Sequence, residues 1–174
     1  MNKIFTAIGS RETPDFALKQ LRNATYHLCL KDWVMRSGAA PGCDTVAEIA
    51  ADKAINEGHG SKEIYLPWKG FNDNNSPFYT YTHLHEEIAF KYHPNLYGQK
   101  DSTIKLMTRN SAQVLGQDCK TRTAFVACYC PVKNGVEIGG TSQAIRVAKA
   151  YSIPIYNIFY PEQYMNLKEV IENL

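Results

Sequence analysis

The sequence contains no apolar run approaching the roughly 20 residues that cross a bilayer, because charged residues interrupt every candidate, and no cleavable apolar leader precedes the first strand-like run. A soluble, cytoplasmic protein with no membrane partner is the expectation. Nor is one sign of charge in excess: 19 basic against 17 acidic residues leave a net charge of +2, far from the basic surplus that drives sequence-independent duplex binding. Any nucleic-acid contact must be local. The five cysteines, Cys29, Cys43, Cys119, Cys128 and Cys130, are odd in number and irregular in spacing, which argues against a disulfide framework and fits a reducing compartment. Cys128 and Cys130 lack a second pair, and His83 and His85 stand two apart and share no helix face, so no metal site is predicted. Repeats, low-complexity tracts and charged tails are also missing, and 174 residues with 44% apolar content suit one core. One domain over residues 1–174 is expected.

Within those limits the chain alternates strand-like and helical patterns. Ile4 to Ile8 is an apolar run ending at Gly9. Thr13-Pro14-Asp15 then supplies an N-cap, a proline at the first helical position and an acid in the first turn of a helix of four or five turns. Trp33 to Met35 is the second strand, Val46 to Ile55 a helix capped by Asp44-Thr45 and stopped at Gly58, and Glu63 to Leu66 the third strand. Residues 68–82 interrupt the rhythm with Gly, Asn, Ser and Pro among aromatics, which predicts an inserted aromatic loop. Helices over Leu84 to Tyr92 and Asp101 to Leu115, a strand over Phe125 to Tyr129, a helix over Ser142 to Tyr151, a strand over Pro154 to Phe159 and a helix over Tyr164 to Leu174 complete the pattern. Such alternation predicts an α/β, Rossmann-like doubly wound three-layer sandwich on a mostly parallel sheet of five strands or slightly more, with its ligand at the carboxyl ends of the strands.

Three glycine-bearing turns map to that edge: Gly9-Ser10-Arg11, the run from Ser37, Gly38 and Ala39 through Gly42 to Asp44, and Gly139-Gly140-Thr141-Ser142. Residues without a side chain let the backbone approach an anion, and unpaired amides at a helix start point toward it. A phosphate-binding crest is therefore predicted, with a nucleotide or nucleotide-derived small molecule as partner. Arg11 offers a guanidinium fork for phosphate, or alternatively a surface pairing with Glu12. Asp44 is an N-cap and also a candidate acceptor for ribose hydroxyls. Gly38 permits close approach of a ligand, or simply a tight turn. Arg109 and Gln113 share a polar helix face with Lys105 that reads as solvated, opposite a buried stripe of Ile104, Met107, Ser111 and Val114. Trp68, Phe71 and Tyr79 in the aromatic loop fit a lid or base-stacking platform, a dimer interface or a satellite core. Cys43 lies in a glycine turn, but no histidine partner is placed to make it a nucleophile.

In combination, Gly9-Ser10-Arg11, Ser37-Gly38-Ala39-Ala40-Pro41-Gly42-Cys43-Asp44, Arg109-Asn110 and Gly139-Gly140-Thr141 resemble the SLOG superfamily of Rossmann-like nucleotide-binding proteins, which includes the DNA-processing protein A (Smf) group and the LONELY GUY phosphoribohydrolases. The Smf-like branch is the most similar, in a compact form of the kind carried by bacteriophages, whose strand ends resemble Leu66-Pro67-Trp68. The resemblance raises Arg109 and Asn110 to ligand or inter-subunit contacts, and implies a homodimer or higher assembly. It also marks a departure. The phosphoribohydrolase pattern glycine-threonine-x-x-glutamate has Ala144 where its acid would stand, and Glu137 could substitute only from the other side of the turn. Glycosidic hydrolysis wants a carboxylate beside an oxocarbenium-like state. The expected function is thus non-catalytic nucleotide sensing or sequestration, without a resident cofactor, including capture of a host immune nucleotide signal; single-stranded DNA binding of the Smf type and an N-glycosidase with a relocated acid are the alternatives.

Overall fold

The computed structural model describes residues 2–174. The strands are β1 (Ile4–Gly9), β2 (Val34–Ser37), β3 (Ser61–Ile64), β4 (Phe125–Tyr129), β5 (Val132–Lys133), β6 (Val136–Glu137) and β7 (Ile155–Asn157). The helices are α1 (Asp15–Leu30), α2 (Cys43–Asn56), α3 (His83–Tyr92), α4 (Asp101–Leu115), α5 (Thr141–Ala150) and α6 (Pro161–Glu172). Five strands form one sheet in the order β3-β2-β1-β4-β7, every neighbouring pair parallel. The fold is the α/β Rossmann-like arrangement that the alternation predicts.

β1 and β4 are buried on both faces and so read as continuous apolar runs, Ile4-Phe5-Thr6-Ala7-Ile8 and Phe125 to Tyr129. Leu21, Ala24 and Leu28 of α1, Ala47, Ala51 and Ala54 of α2 and Leu167 and Ile171 of α6 cover one face. Val114 and Leu115 of α4 and Ala144, Ile145, Val147 and Ala148 of α5 cover the other. At the amino ends of the strands, Phe5 stacks on Phe125 with ring centroids 5.9 Å apart, and Trp33 tilts against Phe125 at 5.4 Å. That end is sealed by aromatic packing. The chain winds outward from β1 to β3, then restarts at β4 on the opposite side of β1. The switch point therefore lies between β1 and β4, and the crevice opens at their carboxyl ends.

Several boundaries differ from the sequence reading. β2 extends to Ser37 and β3 begins at Ser61, because both pair in register from Val34↔Ser61 to Ser37↔Ile64. α2 ends at Asn56, and α6 begins at Pro161, with proline in its first turn. Pro14 occupies the N-cap position assigned to Thr13, and Gly140 is the N-cap of α5. A short hairpin, β5–β6, was not anticipated; Asn134 and Gly135 at φ 51° and 76° make the tight left-handed turn that joins it.

The aromatic segment 68–82 is more ordered than a bare loop. Phe78 bridges to Tyr65, the Leu66 amide donates to the Phe78 carbonyl at 2.8 Å, and the Tyr81 hydroxyl donates to the Leu66 carbonyl at 2.6 Å. Phe71 is buried, edge-on to Trp68. No helix among the described residues is long and apolar enough to cross a membrane.

Candidate functional site

The first glycine turn continues β1. The Ser10 amide donates to the Tyr129 carbonyl at 2.9 Å, which extends the β1–β4 ladder, and the Thr13 hydroxyl donates to the Ser10 carbonyl at 2.7 Å. Gly9 is a glycine because a Cβ there would stand 2.3 Å from Cys43 Sγ and 2.9 Å from the Tyr129 oxygen. Its amide donates to Asp44 Oδ1 at 3.3 Å.

The second turn closes on the same carboxylate. The Gly38 and Ala40 amides donate to Asp44 Oδ2 at 3.1 and 3.3 Å, so Asp44 accepts from both turns at once. It caps no amide of its own helix; it lies in the first turn of α2 and reaches back across the strand ends. Burial pushes its pKa up to about 6, against the opposing pull of Arg109 and of the Ala40, Gly9 and Gly38 amides. Ser37 is turned inward, donating to the Ala7 carbonyl at 2.7 Å, while Ala39 (φ 57°) is held by Asn72 Nδ2 at 2.9 Å. Gly42, at φ 89°, is the N-cap of α2.

Arg109 is buried, which departs from the solvated face expected for it. Its guanidinium donates to the Gly38 carbonyl and to the Tyr65 carbonyl, its Nε to Asn110 Oδ1 at 3.0 Å, and it lies over the Phe71 ring. A Cβ at Gly38 would fall 1.9 Å from Arg109 Nη1 and 2.3 Å from Gln113 Nε2. The close approach that requires glycine at this position is made by the protein's own side chains. The whole run Met107 to Leu115 is buried, since α4 is wedged between α3 and α5 and against the β2 turn.

At the third turn, Gly139 adopts φ 84° and Gly140 is the N-cap of α5. Asn110 Nδ2 donates to the Gly140 carbonyl at 3.1 Å, which ties this turn to α4. Ser142 donates to the Gly139 carbonyl at 2.6 Å and accepts from Arg146 Nη1 at 3.0 Å, so its hydroxyl is committed. The Gly140 and Thr141 amides and the Thr141 hydroxyl have no partner among the described residues.

These turns enclose an open cleft of about 350 Å³. Gly9, Ser10, Arg11, Asp44, Arg109, Asn110, Gly139, Gly140 and Thr141 line it together, whereas Ser37, Gly38, Ala39, Gly42 and Ser142 stand behind its walls. Trp68, Phe71 and Tyr79 do not line it. Glu12, Leu106, Met107 and Ile138 do, giving an apolar floor and one rim carboxylate that the sequence reading did not assign. Glu12 was legible as the neighbour of Arg11; the apolar lining was not, because Leu106, Met107 and Ile138 carry no motif. Arg11 is exposed and forms no ion pair among the described residues, with Glu12 or any other acid. Ala144 is fully buried in the core, and Glu137 is paired with Lys149 Nζ at 2.6 Å outside the cleft lining.

The cleft thus has two unlike anion environments. Asp44 fills the amides of the first two turns. Free donors remain at the start of α5, opposite a free arginine and above apolar side chains, an arrangement suited to a phosphate group joined to an apolar ring.

No protein-family model matches the sequence, and no curated protein matches it. Among solved structures, DNA processing protein A from Helicobacter pylori, described for its single-stranded DNA binding mode, superposes with a TM-score of 0.61 at 17% identity, over 99% of this chain and 80% of its own. DNA processing protein A from Streptococcus pneumoniae superposes with a TM-score of 0.40 at 15% identity, over 89% of this chain and 58% of its own. The Helicobacter protein and this chain share the Rossmann-like fold over nearly the whole of the present sequence.

Proposed function

We propose that the cleft at the β1–β4 switch point binds single-stranded DNA, seating one nucleotide with its phosphate on the Gly140 and Thr141 amides and Arg11. The observation that carries this reading is the set of unpaired donors at the head of α5 in a cleft of about 350 Å³, which suits one nucleotide unit. The similarity in fold to a protein described as binding single-stranded DNA supports the choice of ligand. With a net charge of +2, the contact is local and not a broad basic saddle.

In this reading the phosphate meets backbone amides, the Thr141 hydroxyl and a guanidinium, while the base rests on Ile8, Leu106, Met107 and Ile138. Asp44 and Arg109 form part of its wall. Fluorescence anisotropy with a labelled oligothymidylate of about 16 nucleotides tests it. Saturable binding that weakens with salt, and that Arg11→Gln with Thr141→Val weakens further, is expected. No binding at low salt overturns the reading.

A second reading is a free nucleotide or nucleotide-derived small molecule, held without turnover. The size of the cleft favours it, since about 350 Å³ seats one nucleotide unit without the rest of a strand. Calorimetry separates the two: a mono-, di- or cyclic nucleotide that binds more tightly than a short oligonucleotide selects the small molecule.

A further inference from the structure

We propose that the groove between α1 and α2 is a second phosphate subsite, which takes the sugar-phosphate backbone of the same single strand after it leaves the cleft. The proposal rests on the reading of the cleft as a strand-binding site. The groove has a volume of about 310 Å³ and is lined by Lys19, Arg22, Asn23, Tyr26, Ala50 and Lys53. Three cations around one hollow repel each other, so an anion is the complement that such a surface accepts.

Two of the three cations are not consumed by the fold. Lys19 and Arg22 are exposed and enter no ion pair among the described residues. Lys53 Nζ lies 4.2 Å from the centroid of the Tyr26 ring and 4.0 Å from Glu57 Oε1, while the Tyr26 hydroxyl donates to Glu57 Oε2 at 2.6 Å. Glu57 thereby fixes Tyr26, and Tyr26 fixes the ammonium, so that this acid acts to position the groove's cation.

The groove lies along the helix that leaves the cleft rim, and the two share no lining residue. α1 starts at Asp15, just after the turn that carries Arg11 to the cleft rim. Phe16, Lys19, Asn23 and Tyr26 follow at spacings of three and four, which places them on one face of the helix. At about 1.5 Å of rise per residue, Lys19 stands about 6 Å, Arg22 about 10 Å and Tyr26 about 17 Å along the axis from Asp15. Phe16, 59% exposed at the head of this stripe, offers a face on which a base can stack between the two phosphate sites. A strand seated with one phosphate at α5 meets, in order, Arg11, Phe16 and the α1–α2 cations.

The test measures salt dependence of binding to a long (about 16-nucleotide) and a short (about 4-nucleotide) oligothymidylate. Lys19→Gln with Arg22→Gln removes two exposed cations remote from the cleft. For the long oligonucleotide, the slope of log K against log salt is expected to shrink by about 1.4, at about 0.7 per phosphate contact, with about a tenfold loss of affinity at low salt. The short oligonucleotide is expected to bind the variant as it binds the wild type. Unchanged slope and affinity for the long strand overturn the groove while leaving the cleft standing. Conversely, if Arg11→Gln with Thr141→Val leaves both oligonucleotides unaffected, the cleft reading fails, and with it the groove as a continuation of the strand's path. Inorganic tripolyphosphate that displaces the long strand as well from the double variant as from the wild type counts against the groove.

Discussion

Asp44 and Arg109 hold opposite ends of the same residue: the carboxylate accepts from the Gly38 amide, and the guanidinium donates to the Gly38 carbonyl. The two charges attract one another across that residue, and both are largely buried at the edge of the cleft. The β2 turn is clamped from both sides, and with it one wall of the cleft.

Removing the acceptor should loosen that clamp. Asp44→Ala leaves the Gly9, Gly38 and Ala40 amides without partners and the Arg109 charge uncompensated, a loss of about 2–4 kcal/mol of stability. Urea denaturation monitored by circular dichroism measures it; a change below about 0.5 kcal/mol would show that the carboxylate is not structural.

The same group sets a pH dependence. Burial raises the Asp44 pKa from 3.8 to about 6, so between those values the folded chain holds a proton that the unfolded chain has given up. Stability from this group is full below the unfolded value and is lost as pH rises through the folded one, a decline of order 1–3 kcal/mol. The difference in stability between wild type and Asp44→Asn, followed across that window, isolates the contribution. A carboxyl resonance of Asp44 titrating below pH 4 would reverse the sign.

Gly38 should resist a side chain. A Cβ meets Arg109 Nη1 and Gln113 Nε2, the ends of two buried side chains, so Gly38→Ala is expected to push the guanidinium off the Gly38 carbonyl at a cost of about 1–3 kcal/mol. A thermal midpoint within a few degrees of wild type would mean that Arg109 has another place to go.

Thiol chemistry offers a check on the packing. Burial pushes Cys29 and Cys43 up to about 12 and Cys130 to about 11, and Cys128 well above its usual value. Cys119, also raised to about 11, is the one cysteine that is not buried. Alkylation of the native chain at pH 8, read by mass spectrometry, should label Cys119 first and the other four only on unfolding. Rapid labelling of Cys43 would place it in solvent, against the packing of the first turn.

Much of this arrangement was written in local chemistry. The span Asp101–Leu115 and the strand Phe125–Tyr129 follow directly from periodicity, and the convergence of three glycine turns follows from α/β alternation. The environment of Arg109 was not legible, because helical spacing reports which residues share a face and not what the face meets. The partner is a carbonyl 71 residues away. Asp44 misled for a related reason: an acid in a first turn reads as a cap, whereas its acceptors were claimed by amides of two other loops. The β5–β6 hairpin did carry a local sign, Asn134-Gly135, too short to show as alternation.

By lodging its own carboxylate among the amides of two loops, the molecule keeps the rim set before any guest arrives. On the proposed function, capture would demand no loop closure, and encounter would be limited by collision and charge steering. Hydrogen exchange at the Gly9 and Gly38 amides should be slow in the empty protein and barely altered on saturation, with new protection confined to Gly140 and Thr141.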